Sequence, residues 1–347
     1  MIRRTMVTLV LMAVFSIAYV GFWFYTATSL RSGLDDWARQ ARQLGWDVHY
    51  TRSVLSGFPF VMRLTVRNPE FASAAKDPDW AWKGRELNIQ TRPWNLEQFT
   101  IKFPNRHKLK LQENYKEITY KGVSEELEVQ FRSGTRWPIE FFLQLRGLDF
   151  KNPKGGGFST DEAVIDGTYD PSITDDIESS SVTFKMDIQK LIFPASIKLP
   201  MGSQIAKLSF QGSMMGGIEQ GTFRKSLENW RDAGGTIEIP KFSMAYGPLR
   251  LVRSDGTVAL DGNLQPVGAF TAKVTGFFEL LDSLRLIGWI KGKDSVTAKI
   301  TMSAFFRKDE NGGPPSLNLA ISAQDGNIFA GQHKLADMPP VNWGPKV

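Results

Sequence analysis

The chain has no cysteine among its 347 residues. Disulfides, zinc–thiolate centres, iron–sulfur clusters and cysteine nucleophiles are excluded together. The same lack suits an exported bacterial protein, in which a stray thiol is a liability. Histidine is scarce: His49, His107 and His333 share no motif, and each is expected to be solvated or hydrogen-bonded. There is no His-Glu-x-x-His pattern, no phosphate-binding P-loop and no Gly-x-Ser-x-Gly elbow. No metal or cofactor is therefore expected. A net charge of +6 is small for this length, and no nucleic-acid partner is expected. No internal repeat of solenoid or propeller length is present.

Three partial patterns fall short of chemistry. Ser73 and Lys76 fit Ser-x-x-Lys, but the Lys-Thr-Gly strand that would complete such a site is missing. "KGGGF" at 154–158 is followed by acidic, turn-like residues rather than a helix, so a flexible loop is expected instead of a phosphate cradle. Asp175, Asp176 and Glu178 lack the alternating oxygen ligands and fixed glycine of a calcium loop. The chain is expected not to be an enzyme.

What the sequence does have is an uncharged run. Residues 6–27 match the roughly 20 residues that cross a bilayer core. Arg3 and Arg4 precede the run, which places 1–5 in the cytoplasm by the positive-inside rule. Phe22, Trp23, Phe24 and Tyr25 form an aromatic belt at its far end. A cleaved signal peptide is the rival reading, but no Ala-x-Ala-like site follows Ala27, and a retained anchor is expected. Both readings export the rest. The expected location is the bacterial inner membrane, single-pass, with the body in the periplasm.

Beyond the span, residues 28–45 read as a juxtamembrane helix, with Leu30, Leu34, Trp37, Ala38, Ala41 and Leu44 at helical spacing and Gly45 as C-cap. Then the period changes to two. In "SGFPFVMRLTVRNPEF", residues 56–71, Phe58, Phe60, Met62, Leu64 and Val66 fall on one side and Arg63, Thr65 and Arg67 on the other. This predicts a strand with a dry face, and makes those five residues candidates for an apolar groove. Pro59 would place its start at an edge or bulge. Short alternating segments continue to 151. Among them Lys102, Arg106, Lys108 and Lys110 are candidates for contact with anionic head groups, the alternative being lysines that guard an edge strand.

Residues 152–181 are rich in turn formers and acids and read as a loop or linker, with a short strand at 163–165. This separates a β-rich half, 46–151, from a second, 182–347, with inserted helices. The stripes Phe223, Leu227, Trp230 and Phe277, Leu280, Leu281, Leu284, Ile287 mark two helices. A third is expected from Asp294, with a strand as the alternative. Asp255–Gly256 and Asp325–Gly326 are hairpin-turn signals. With 24 Phe and 10 Trp a sizeable core is available. The fold class is α+β: a transmembrane helix, then a large curved antiparallel sheet with a few helices packed on one face.

Four stretches in order, "SGFPF", "NWRDAGGTIEI", "GTVALDGNLQPVGAFTAKVTGF" and "SAQDGNIFAG", resemble the hallmarks of the domain-of-unknown-function family numbered 2125. The likeness covers 46–340 and implies a single-span protein with a periplasmic body. The layout is also similar, more distantly, to AsmA-like proteins, whose curved sheets enclose an apolar groove linked to lipid handling. This chain differs from them in being short and in having helices among the strands. The expected function is non-catalytic: a module in envelope maintenance that binds a lipid or other apolar ligand, with the inner membrane as partner. The alternative is a structural or assembly protein that docks other envelope proteins.

Overall fold

The structure is a computed structural model. It describes residues 2–43, 45–74, 79–113, 116–132, 139–174, 176–194, 197, 199–219, 221, 223–303, 306–307, 314–331, 333–338, 340–341 and 343. The chain divides into two units, Met1–Gly134 and Thr135–Val347.

In the first unit, helix α1 (Ile2–Gln43) is continuous through the expected membrane span and the juxtamembrane segment. It ends where Gly45 takes φ +85, a left-handed conformation that glycine adopts without strain. Among the described residues ten strands follow: β1 (Trp46–His49), β2 (Arg52–Ser56), β3 (Met62–Arg67), β4 (Glu70–Ser73), β5 (Trp80–Gly84), β6 (Glu86–Arg92), β7 (Asn95–Lys102), β8 (Arg106–Glu113), β9 (Lys116–Val123) and β10 (Glu126–Arg132). They pair as two antiparallel leaves. Leaf A runs β1-β4-β5-β8-β9, and leaf B runs β2-β3-β6-β7-β10.

The two leaves share their strands. β1 passes into β2, β3 into β4, β5 into β6, β7 into β8 and β9 into β10, each across a break of one to three residues. Ladder bonds bridge the breaks: Thr51 N–H donates to Arg67 O, Gly84 N–H to Pro69 O, and Phe103 N–H to Leu127 O, at 2.9, 3.0 and 2.9 Å. Five long strands are thus folded over one common crease. Pro69, which has no N–H, sits at the crease beside Asn68, which has a positive φ of 50. Apolar rows cross each leaf in register. In leaf A the row is Val48, Phe71, Trp82, Leu109. In leaf B it is Leu55, Leu64, Ile89, Ile101, Val129.

The helix covers part of these rows with one stripe. Trp23 and Ala27 pack with Met62 and Leu55, Leu30 and Leu34 with Leu64 and Val66, and Ala38 and Ala41 with Val48 and Phe71. Small residues at 27, 38 and 41 let the helix approach the strands closely. The expected single strand over 56–71 is corrected here. β2 ends at Ser56, β3 starts at Met62 and ends at Arg67, and 57–61 is the turn between them. Gly57 holds φ +100, and a Cβ there would lie 2.4 Å from Val61 O. The turn resets the alternation, so Phe58 and Phe60 do not share the face of Met62, Leu64 and Val66.

The second unit is a meander in sequence order: β11 (Ile139–Lys151), β12 (Gly157–Tyr169), β13 (Ser180–Ile192), β14 (Gln204–Met215), α2 (Phe223–Asp232), β15 (Thr236–Tyr246), β16 (Leu249–Leu260), β17 (Pro266–Thr275), α3 (Phe277–Leu286), α4 (Gly292–Ser303), β18 (Leu317–Gln324), β19 (Asn327–Ala330) and β20 (His333–Asp337). Each strand pairs antiparallel with the next. Helices α3 and α4 lie on one face over a core of Tyr246, Leu249, Val274, Phe277, Leu281 and Leu317. Trp230 of α2 is buried, and its indole N–H donates to Met215 O at 2.7 Å.

Two turn readings are corrected in this unit. The segment 152–181, expected as a loop, contains all of β12, a 13-residue strand paired on both sides. Glu162 and Asp166 share one face of it, Asp161 is exposed on the other, and the Phe141 ring covers Gly167, with its Cζ 2.5 Å from where a Cβ would stand. Asp255–Gly256 likewise lies inside β16, with the Phe270 ring over Gly256. Asp325–Gly326 is the turn between β18 and β19, both residues at positive φ as a two-residue hairpin loop requires.

Candidate functional site

The helix is narrower than the folded sheet, and it leaves a cavity of about 940 Å³ between itself and the two leaves. From α1 come Thr26, Ser29, Leu30, Gly33, Leu34 and Trp37. Leaf A supplies Trp46, Val48, Phe71, Trp80 and Trp82, and leaf B supplies Met62, Val66, Leu87, Ile89, Leu96, Phe99, Ile101, Leu127 and Phe131. The volume is at the upper end for sites that enclose a small molecule. Aromatic rings line the leaf A side: Phe71 stacks on Trp82 at 5.4 Å, Trp46 meets Trp80 edge-on at 5.6 Å, and Trp82 meets Phe103 at 5.6 Å.

Among the described residues, no Asp, Glu, Lys, Arg or His is part of the wall. Four hydroxyls are, and each already donates within the protein. Thr26 Oγ1 donates to Phe22 O at 2.6 Å, Ser29 Oγ to Tyr25 O at 3.0 Å and Thr91 Oγ1 to Asn95 O at 2.9 Å. Tyr50 Oη donates to the Asp35 carboxylate. Burial and this hydrogen bond to an anion push the Tyr50 phenol up to about 12. The groove therefore offers a ligand contact surface and almost no polar recognition.

The five groove candidates separate in the structure. Met62 and Val66 are on the cavity wall. Leu64 is fully buried beside them, in the cluster with Leu87 and Ile101. Phe58 and Phe60 are outside the groove, 50% and 68% exposed, on the β2–β3 turn. The wall residues not singled out from sequence, Trp80, Trp82, Phe99 and Phe131 above all, lie on strands whose alternation was visible but whose facing partners are far apart in the chain.

Of the basic candidates, Lys102 pairs with Glu128 at 2.8 Å and Lys110 with Glu117 at 2.8 Å. Arg106 and Lys108 are exposed. Lys108 stands in register between Lys83 and Lys121 on the outer face of leaf A. All four lie at the crease or on leaf A.

His107 is buried: Nδ1 accepts from Trp82 Nε1 at 3.3 Å, and Nε2 lies 2.8 Å from Ser124 Oγ. Burial lowers its pKa below the ordinary histidine value. His49 is exposed, with Nε2 2.8 Å from Asp47 Oδ1. The side chain of His333, and Lys76 and Asp175, lie outside the described residues. Ser73 Oγ accepts from Asp79 N–H at 2.9 Å. The N–H groups of Lys154 and Gly156 are taken by Asn152 Oδ1 at 2.9 and 3.0 Å, so the glycine run is a hairpin closed on its own side chain. Asp176 accepts from Ser179 Oγ and Glu178 N–H, bonds that lower its pKa.

A family model described as an uncharacterized protein conserved in bacteria, DUF2125, matches residues 23–339. The chain belongs to the DUF2125 family. The DUF2125 match opens at Trp23, the residue at which α1 first becomes buried against the strands. It thus includes the half of the helix that lines the groove. No curated protein and no solved structure gives a significant match, and none stands behind the likeness to AsmA-like proteins.

Proposed function

We infer that this DUF2125 chain is a membrane-anchored, non-catalytic protein that holds an acyl chain or a similarly apolar ligand in the groove of its first unit. The supporting observation is the wall itself: among the described residues it has no charged side chain, and the four lining hydroxyls spend their donors internally. A polar ligand would lose its water there without replacement hydrogen bonds, at a cost of about 1–3 kcal/mol per group. An alkyl chain gains about 0.8 kcal/mol per buried methylene.

Helix α1 carries a stretch long and apolar enough to cross a bilayer, which supports single-pass anchoring. Arg3 and Arg4 before it support a cytoplasmic N-terminus and a periplasmic body at the inner membrane. The ligand's source is then the membrane, and the role is envelope maintenance.

Gly33 provides the test. It is on the cavity wall, and a Cβ there would meet nothing within 4 Å. Gly33→Phe puts a ring into the cavity without displacing the wall. The full chain, purified in mild detergent, is expected to carry lipid detectable by mass spectrometry and to bind a fluorescent fatty acid. Gly33→Phe is expected to do neither while it melts at or above the wild-type temperature. Equal lipid occupancy in both proteins would refute the groove as the binding site.

A further inference from the structure

The residues of the SGFPF turn that left the groove have their own surface. α1 is exposed and apolar from Met6 to Phe22, and Trp23 is the first residue buried by strands, 3% exposed. Seventeen residues at 1.5 Å each span about 26 Å, close to the thickness of a hydrocarbon core. The bilayer boundary therefore falls near residues 22–25, where Phe24 and Tyr25 are exposed.

The β2–β3 turn is fixed at that level. Phe58 lies edge-on to Trp23 at 5.5 Å and within 6.5 Å of Tyr19 and Phe24, and Tyr19 Oη donates to Pro59 O at 2.5 Å. The β6–β7 turn is its neighbour, because Met62 stands opposite Thr91. That turn exposes Trp94 by 62%. Leaf B thus ends in two turns that present Phe58, Phe60 and Trp94 beside the point where the helix leaves the membrane. Large aromatic rings at that depth are the residues of a membrane interface.

The charge beside them has one sign in excess. Arg63 and Arg92 flank the two turns, both exposed and without an ion-pair partner among the described residues. Among the described residues Glu97 is an acid nearby with no ion pair, and Glu128 is held by Lys102.

We propose that the tip of leaf B is seated in the membrane surface from which α1 emerges, with Phe58, Phe60 and Trp94 in the interface and Arg63 and Arg92 on anionic phospholipid head groups. The lysines of leaf A and the crease have no part in this contact. The inference rests on α1 as a membrane span and is independent of whether the groove holds a ligand.

The absence of native cysteine allows a direct test. Single variants of the full chain, Leu11→Cys, Phe60→Cys, Trp94→Cys and Lys108→Cys, are spin-labelled and reconstituted in phosphatidylethanolamine–phosphatidylglycerol vesicles. Collision with oxygen, which partitions into lipid, is compared with collision with a water-soluble nickel chelate. Oxygen is expected to dominate at 11, 60 and 94, and nickel at 108. Arg63→Gln combined with Arg92→Gln should raise nickel access at 60 in these vesicles by up to about 25-fold, about fivefold for each of the two lost head-group charges, and leave it unchanged in phosphatidylcholine vesicles. Nickel dominance at 60 and 94 with oxygen dominance at 11 would overturn the seating of the tip. Nickel dominance at 11 would overturn the membrane span and the inference with it. An unchanged result for the arginine pair in anionic vesicles would remove the head-group contact.

Discussion

Tyr19, on α1, donates its phenolic hydrogen to the carbonyl of Pro59, forty residues later, at 2.5 Å. The bond ties the β2–β3 turn to α1 and makes the turn's shape matter to the whole first unit.

Gly57 sets that shape. With φ +100 and a Cβ position 2.4 Å from Val61 O, Gly57→Ala forces backbone movement. A loss of about 2–4 kcal/mol is expected, against about 1 kcal/mol for Tyr19→Phe, which deletes one hydrogen bond. Denaturant titration of the full chain in micelles measures both. A Gly57→Ala protein as stable as Tyr19→Phe would show that the turn relaxes freely.

The helix cannot be cut at the edge of its apolar run. A fragment that starts at 31 loses Trp23 and Ala27 from the cluster with Met62 and Leu55. Removal of one such buried tryptophan costs about 3–5 kcal/mol. A fragment from 22 onward is expected to melt well above one from 31, by circular dichroism. A cut after Ala27 would take the same two residues from that cluster.

His107 gives the first unit an acid-sensitive point. Its pKa is lowered by burial, so the folded state resists a proton that the unfolded state takes up near pH 6.5. Stability is full above that pH and declines as pH falls through 6.5 toward the lower folded value. With three histidines in the chain, ring proton resonances can be followed individually. His107 is expected to titrate below 6.5, and His107→Gln to flatten the acid side of the melting profile.

Tyr50 acts at the other extreme. Its phenol is raised to about 12 in the fold and ionises near 10 when unfolded. The folded state therefore holds the proton longer, and stability present below pH 10 is lost as pH rises toward 12. Burial raises the Tyr246 phenol as well, so absorbance at the phenolate band should show more than one tyrosine ionising late, and Tyr50→Phe should remove one of those steps. A spectrum in which all tyrosines ionise together near pH 10 would contradict the Tyr50–Asp35 bond.

The α+β class, the long apolar N-terminal helix, the 325–326 turn and the helices at 223 and 277 were legible from period and capping residues alone. What was not legible was the folding-over. Pro69, Gly84 and Pro104 punctuate the first unit as strand ends do, yet they mark places where one strand turns across the crease and continues. Pairings such as Ile101 with Val129 join segments that no local pattern connects. Glycines misled in the second unit for a related reason. Gly256 was read for its torsional freedom, whereas its role, like that of Gly167, is to leave space for a ring, Phe270 over Gly256 and Phe141 over Gly167. The groove wall was half visible. Met62 and Val66 followed from alternation, but Phe58 and Phe60 were carried along by counting through a turn.

The shared crease means that the parity of every strand in one leaf is inherited by the other. One residue added between Ser124 and Glu125 would turn Leu127, Val129 and Phe131 from the cavity side to water and bring Glu126, Glu128 and Gln130 inward. A residue added between β6 and β7 would be absorbed by an exposed turn. Insertions should therefore be disruptive at the fold line and tolerated at the β6–β7 turn, an inverted pattern for a protein whose fold line is itself made of short, loop-like breaks.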